Sequence, residues 1–300
     1  MTEPLSPSTG LDVSAFTEEE LSLIISRLNT SSCPSPMDQI PYLVLKKCPS
    51  LTSALLHVFN SCWSVKRVPA AWKVGVLRLI GKKRAVEDPS NPKNFHFIAL
   101  TSCIGKVFTS LLKQRWIAYM RTNNYLNTTV QKAFVDGVPG CTEHHIKLLS
   151  MLSEARQKHR SLCVCWLDLA NAFGSVHHNV IRFSFKHYHA PPEMVDLVSS
   201  LYEDLIGVVS TKSWQRAPIH LQIGVFRGDP LSVLVFNTVM NTLVDTITQR
   251  HSNLGYTLSA SSQRSYLLQY ADDTSLLSDG PSSCQSLLST TEAWLSWSGM

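Results

Sequence analysis

Tyr266-Leu-Leu-Gln-Tyr270-Ala271-Asp272-Asp273-Thr274-Ser-Leu-Leu277 places two adjacent carboxylates between two apolar runs. Runs of about four residues bounded by a polar pair predict two short strands joined by a tight turn, with Asp272 and Asp273 at its tip. Two unit charges ~4 Å apart repel by roughly 4 kcal/mol at an effective dielectric near 20. A solvated turn tolerates that cost, so the pair alone fits an ordinary acidic hairpin as well as a functional one. A third acid, Asp168, shifts the balance. It ends the run Leu162-Cys-Val-Cys-Trp-Leu167, whose near-continuous apolarity predicts a strand buried on both faces. A carboxylate at the end of a buried strand should be hydrogen-bonded, paired or metal-bound. A capping role for the following segment is the plainer alternative.

Three stretches then occur in order: Asp168-Leu-Ala-Asn-Ala172-Phe173, Gly228-Asp-Pro230-Leu-Ser232 and Tyr270-Ala-Asp272-Asp273. Together they resemble the palm motifs of reverse transcriptases. With Leu100-Thr101-Ser102-Cys-Ile-Gly105-Lys106 they look most like the polymerases of non-LTR (LINE-type) retrotransposon polyproteins, from about Phe16 onward.

Size and composition are compatible with that resemblance without requiring it. Three hundred residues, 44% of them hydrophobic, can bury a sizeable core. A net charge of +5 is mildly basic and suits a nucleic-acid partner without identifying one. The eight cysteines are scattered with no Cys-x-x-Cys, which predicts reduced thiols in an intracellular protein. The first ten residues do not read as a signal peptide. The longest apolar stretch, 230–244, is broken by Ser232, Asn237, Thr238 and Asn241, which argues against a membrane partner.

Residues 1–15 read as a disordered lead, 16–70 as an N-terminal helical extension, and 71–300 as the reverse transcriptase region. Thr17 with Glu20 forms a capping-box signature ahead of Leu21, Ile24, Ile25 and Leu28. A helix is predicted over 50–63, a strand over 74–80, a loop over 85–95, and a helix from an N-cap at Ser102 to about Arg121. Further helices are expected near 178–187, 192–204, from Pro230, and over 283–298, with strand-like runs at 206–211 and 218–223. Strands mixed irregularly with helices predict an α+β fold. The resemblance implies a right-handed polymerase, with fingers over a palm built on an antiparallel sheet and the thumb missing.

The resemblance also implies a chemistry. Nucleotidyl transfer with two Mg²⁺ ions, or Mn²⁺ in their place, needs several carboxylate oxygens at one point. By resemblance Asp168 and Asp272 bridge the metals, Asp273 is the accessory acid, and the Leu169 carbonyl adds a ligand. Phe173 is either a core aromatic or, as the resemblance implies, the ring under the sugar that rejects a 2′-hydroxyl. Gly228 allows backbone to approach the nucleotide. Arg227 stands where the family has glutamine, and could reach a phosphate or obstruct the pocket. Arg78, with the basic turn Lys82-Lys83-Arg84, fits a surface meeting triphosphate or template. His96 and Phe97 replace the family's arginine and proline, a second departure at a substrate position.

His144-His145 and His177-His178 are adjacent pairs whose side chains do not share a face, and read as structural. Cys163 and Cys165 share one strand face and read as core. The implied partners are an RNA template, a DNA primer, dNTPs and the C-terminal thumb region of a longer polyprotein; nuclear action is implied by resemblance alone. The competing expectation is an impaired or inactive relic that keeps the fold and binds nucleic acid. An RNA-templated RNA polymerase is disfavoured by Phe173.

Overall fold

A computed structural model describes residues 3–32, 34–82, 88, 90–91, 94–133, 137–138, 140–211 and 216–300. Lys83, Arg84, Cys33 and most of the expected 85–95 loop lie outside the described residues. In chain order the helices and strands are α1 (Glu18–Ser26), α2 (Tyr42–Lys47), α3 (Ser50–Val65), β1 (Val74–Gly81), β2 (Phe95–Leu100), α4 (Cys103–Thr122), α5 (Cys141–Gln157), β3 (Cys163–Leu167), α6 (Ala172–Ser175), α7 (His178–His187), α8 (Pro192–Tyr202), β4 (Leu205–Val209), β5 (Ile219–Leu221), α9 (Pro230–His251), β6 (Tyr256–Thr257), β7 (Arg264–Ser265), β8 (Leu267–Tyr270), β9 (Asp273–Ser278) and α10 (Pro281–Ser298). The architecture is α+β, and the helices and strands expected from periodicity appear where the patterns placed them.

The chain forms two compact units that cut across the linear boundaries at residues 15 and 70. The first unit comprises residues 1–6, 120–188 and 235–300; the second comprises 7–119 and 189–234. The first holds an antiparallel three-stranded sheet in the order β3-β9-β8, together with the β6-β7 ribbon. Met151, Ala155, Tyr256, Leu268 and Leu277 form a buried cluster there. The second unit holds a mixed sheet, β2-β1-β4-β5, in which β1 runs parallel to β4 and antiparallel to β2.

Helix starts follow their caps. Thr17 and Glu20 make the reciprocal capping box of α1, and Leu21, Ile24 and Ile25 are buried. Ser102 Oγ accepts from the Gly105 N–H at 3.0 Å, opening α4 as expected, and donates to Asp38 Oδ2 at 2.7 Å. Phe16, Phe59, Trp63, Trp72 and Phe108 pack ring against ring in the second unit, with centroids 5.4–6.0 Å apart.

Two expectations are corrected. The lead is not disordered throughout: Leu11 is buried, and the carbonyls of Asp12, Ser14 and Ala15 accept hydrogen bonds from Arg115. β3 is not buried on both faces. It is a sheet edge, its alternate residues Cys163 and Cys165 are only half-buried, and Trp166 is 68% exposed. Apolar composition overstated burial because a strand of an antiparallel sheet needs only one covered face. α9 covers the apolar stretch read as broken by polar residues; it runs 22 residues and by length and composition alone could cross a membrane, yet 83% of that apolar window is buried inside the protein. The amide nitrogens of two of its polar breaks find acceptors: Asn237 Nδ2 donates to Ala133 O, and Asn241 Nδ2 donates to Tyr125 O and Tyr188 Oη. These bonds are what lets a core helix carry amides.

Candidate active site

Within the first unit, β8 and β9 make the hairpin expected at Tyr266–Leu277. Tyr270 pairs with Asp273, so Ala271 and Asp272 form the two-residue turn. Ala271 has φ +55°, a left-handed conformation that costs an L-residue other than glycine roughly 1–2 kcal/mol. Asp273 therefore opens β9 rather than sharing the tip. β3 lies antiparallel to β9 with Leu167 opposite Thr274, so the next residue, Asp168, emerges beside Asp273. The sheet brings residues a hundred positions apart to one end.

The acids feel one another there. Burial raises the Asp273 carboxyl above its ordinary value, and the charges of Asp272 and then Asp168 raise it further. Among the described residues, no three His, Cys, Asp or Glu side chains close into a metal-ligand cluster. The donors that the sheet brings to this end are carboxylate oxygens, those of Asp168, Asp272 and Asp273. That chemistry suits Mg²⁺ or Mn²⁺ and no soft metal.

Phe173 lies one turn beyond, in α6, after Asn171 takes a left-handed conformation at φ +55°. Its ring is buried and stacks on Phe236 with centroids 4.5 Å apart and planes 13° from parallel. The ring is thus packed from one side by α9, as a rigid wall would be.

The remaining expected site residues belong to the second unit. Gly228 has φ +118°, and a Cβ there would stand 2.8 Å from the Ala99 carbonyl oxygen. The Ala99 N–H in turn donates to Arg227 O at 2.8 Å, so the turn is stitched to β2 and only glycine fits it. Arg227 is exposed, and its Nη1 lies 3.2 Å from His96 Nδ1. The two departures from the family pattern therefore touch. Burial, then the charges of Lys82 and Arg227, hold the His96 imidazole below its ordinary range, so it is neutral at pH 7 and accepts from the guanidinium. Arg78 Nη1 donates to Ser210 O at 3.1 Å, which fixes its side chain along the sheet. Lys82 is exposed at the end of β1.

Asp229 follows the Gly228 turn. Its Oδ1 accepts from the Leu231 N–H at 2.9 Å and caps α9, and its Oδ2 accepts from Thr109 Oγ1 at 3.1 Å. Burial pushes its carboxyl up to about 6, despite those bonds and the charge of Lys106. An acid raised in the folded state contributes stability that is full below its unfolded value, near 4, and is lost as pH rises through about 6. Asp229→Asn keeps the cap and removes this loss. The variant is expected to gain on the order of 1–3 kcal/mol over wild type at pH 7.5, with the difference vanishing near pH 4. Urea unfolding at both pH values measures it.

Of the histidine pairs, His144 has a structural place: it is buried with Nε2 2.6 Å from Val130 O and 3.2 Å from Gln269 O.

A family model described as reverse transcriptase (RNA-dependent DNA polymerase) matches residues 80–300. The chain belongs to the reverse transcriptase family. It is 29% identical over 256 residues to a retrovirus-related Pol polyprotein from a type-1 retrotransposable element R2 of Nasonia vitripennis, covering 84% of this chain and 23% of that protein. It is 26% identical over 288 residues to the Pol polyprotein from the type-2 element R2DM of Drosophila melanogaster, covering 96% and 25%. An RNA-directed DNA polymerase from the Drosophila melanogaster mobile element jockey is 22% identical over 277 residues, covering 91% and 28%. This reverse transcriptase family member spans about a quarter of the length of those relatives. The two R2 relatives come from retrotransposable elements and the third from a mobile element, in line with the non-LTR resemblance read from the motifs.

Proposed function

We propose that this chain is the fingers and palm of an RNA-directed DNA polymerase from a non-LTR retrotransposon polyprotein, extending a DNA primer on an RNA template with dNTPs. The observation that carries the reading is the emergence of Asp168 beside Asp272 and Asp273 at one end of the β3-β9-β8 sheet. Asp168, Asp272, Asp273 and the Leu169 carbonyl would hold two divalent ions. When bound, these supply electrostatic stabilisation to the attacking and leaving oxygens of nucleotidyl transfer. The chain's own residues do the rest. The Gly228 turn lets main chain approach the nucleotide, and Phe173, backed by Phe236, presents an unyielding edge to the sugar. Arg227, Arg78 and Lys82 supply the cationic groups for binding phosphate.

Primer extension tests this, using the chain alone and joined to the C-terminal region of a longer relative. Template-dependent dNTP incorporation by either form is the expected result; none by both sinks the reading.

The contact between Arg227 and His96 decides how the two departures act. If one cation has moved from one side of a phosphate to the other, Arg227→Gln alone should raise the dNTP KM about tenfold, the loss of one charge-assisted hydrogen bond. The double variant Arg227→Gln, His96→Arg should regain it. Increased activity from each single change would make the departures lesions, and the relic reading would lead.

A further inference from the structure

A buried glutamine that none of the chemistry above uses sits under the turn that carries Asp272. Gln131 is 4% exposed, and the segment around it pairs with β8: Lys132 N donates to Gln269 O, and Gln269 N donates to Val130 O. Gln131 Oε1 accepts from the backbone N–H of Ala271 at 2.8 Å and of Ala133 at 3.0 Å. Its Nε2 donates to Ala271 O at 3.2 Å and to Gln269 Oε1 at 2.9 Å. A primary amide has two acceptor positions and two N–H donors. All four are used.

A second buried amide continues the path. Gln269, 1% exposed, donates through Nε2 to Thr274 Oγ1 at 3.1 Å, and that hydroxyl donates to the Asp272 carbonyl at 3.1 Å. Side chains therefore hold the N–H and C=O of Ala271 and the C=O of Asp272. These are the backbone groups of the turn that places the carboxylate. The clamp also holds Ala271 in the left-handed conformation that glycine or asparagine would adopt unaided.

We propose that Gln131, Gln269 and Thr274 form a polar relay that fixes where the Asp272 carboxylate projects, and that Gln131 is a positioning residue for nucleotidyl transfer. This rests on the polymerase reading above. No single replacement reproduces the glutamine. Methionine keeps its length and loses every bond, glutamate keeps the acceptors and loses both donors, and asparagine is one methylene short.

The test compares wild type, Gln131→Met and Thr274→Val in the polymerase-competent form, with Met151→Ala as a control. Met151 is fully buried in the cluster beneath the same sheet and takes no part in the relay, so its variant matches a loss of stability without touching the turn. Gln131→Met is expected to lower kcat about a hundredfold, the order that a 1 Å misplacement of a catalytic group costs. The dNTP KM should stay near wild type, while more Mg²⁺ is needed for half-maximal rate. Thr274→Val should move both quantities the same way, by less. Met151→Ala should lower the melting temperature and leave kcat.

Amide hydrogen exchange and Mn²⁺ binding followed by electron paramagnetic resonance give a second readout that needs no turnover. In Gln131→Met the Ala271 amide should exchange faster while the Leu277 amide, bonded to Tyr266 O, stays protected. Mn²⁺ affinity should fall. Wild-type kcat in Gln131→Met and Thr274→Val, a loss no greater than that of Met151→Ala at equal melting temperature, or unchanged Ala271 exchange and Mn²⁺ affinity would each overturn the proposal. If wild type incorporates no dNTP, the polymerase reading fails, and exchange with Mn²⁺ affinity still decides whether the relay sets the turn.

Discussion

Asp168→Asn and, separately, Asp272→Asn are expected to reduce dNTP incorporation at least about a thousandfold, several kcal/mol of lost transition-state stabilisation. Each change is nearly isosteric and removes one negative charge from the end of the sheet where three acids gather. The charges of Asp272 and Asp168 both raise the Asp273 carboxyl, so they disfavour one another in the folded protein. Neutralising either relieves that repulsion, and the melting temperature of each variant should equal or exceed that of wild type. Activity and stability then move in opposite directions, as expected of acids kept for function at a cost to the fold. A thousandfold loss accompanied by a falling melting temperature would instead make these acids part of the architecture. Incorporation near wild type would remove them from the chemistry. Single-turnover primer extension and thermal unfolding on the same preparations provide both numbers.

The largest expected effect on stability lies at Arg115 in the second unit. Its side chain is about 4% exposed, and all five guanidinium N–H donors have partners. Nε and Nη2 make a two-pronged pair with Glu20 at 2.8 Å each; Nη1 donates to Ser14 O and Asp12 O, and Nη2 also donates to Ala15 O. The plane lies 4.2 Å from the Phe16 ring centroid. Burial alone would raise the Glu20 carboxyl, and hydrogen bonds from Arg115 and the Thr17 N–H bring it below its ordinary value instead. Arg115→Met fills the volume but leaves that carboxylate and three carbonyls without their donor. It should cost about 3–5 kcal/mol, the range for breaking a buried ion pair from one side. Arg115→Lys keeps the charge without the fork and should fall between. Urea unfolding measures both; a loss below about 1 kcal/mol for Arg115→Met would show that the network contributes little.

Arg115 also shows where sequence reading stops. The spacing Val107, Phe108, Leu111, Leu112, Arg115 marks the inward face of α4, so the arginine's direction was legible. Three of its partners, the carbonyls of Asp12, Ser14 and Ala15, are about a hundred residues away, in the lead that reads as disordered. Composition reports what a segment can bury by itself, and residues 11–16 are ordered by a donor on another element. The hairpin and capping box were legible because each is closed by neighbours in sequence: Tyr270 by Asp273, Thr17 by Glu20. The three motifs identified the acids, but the antiparallel register that sets Asp168 beside Asp273 is long-range. Gln131 gave no signal at all, since a lone glutamine in a polar segment looks like surface until the strand that buries it is placed. His96 and Arg227 were each visible as departures, and only the fold makes them one feature.

The order of segments in the first unit has a consequence for synthesis. β3 is complete once Leu167 has been made, but Cys163 pairs with Ser278. At roughly 5–20 residues per second the ribosome takes roughly 6–22 seconds to supply that partner. For that interval the nascent chain carries an apolar segment, ending in Trp166 and Leu167, with neither side of its backbone paired. Pairings between such distant residues form slowly in any case. The sheet that carries the site thus cannot close before β9 is made, and the growing chain passes through a stage in which chaperone capture or clumping competes with closure of the hairpin onto β3.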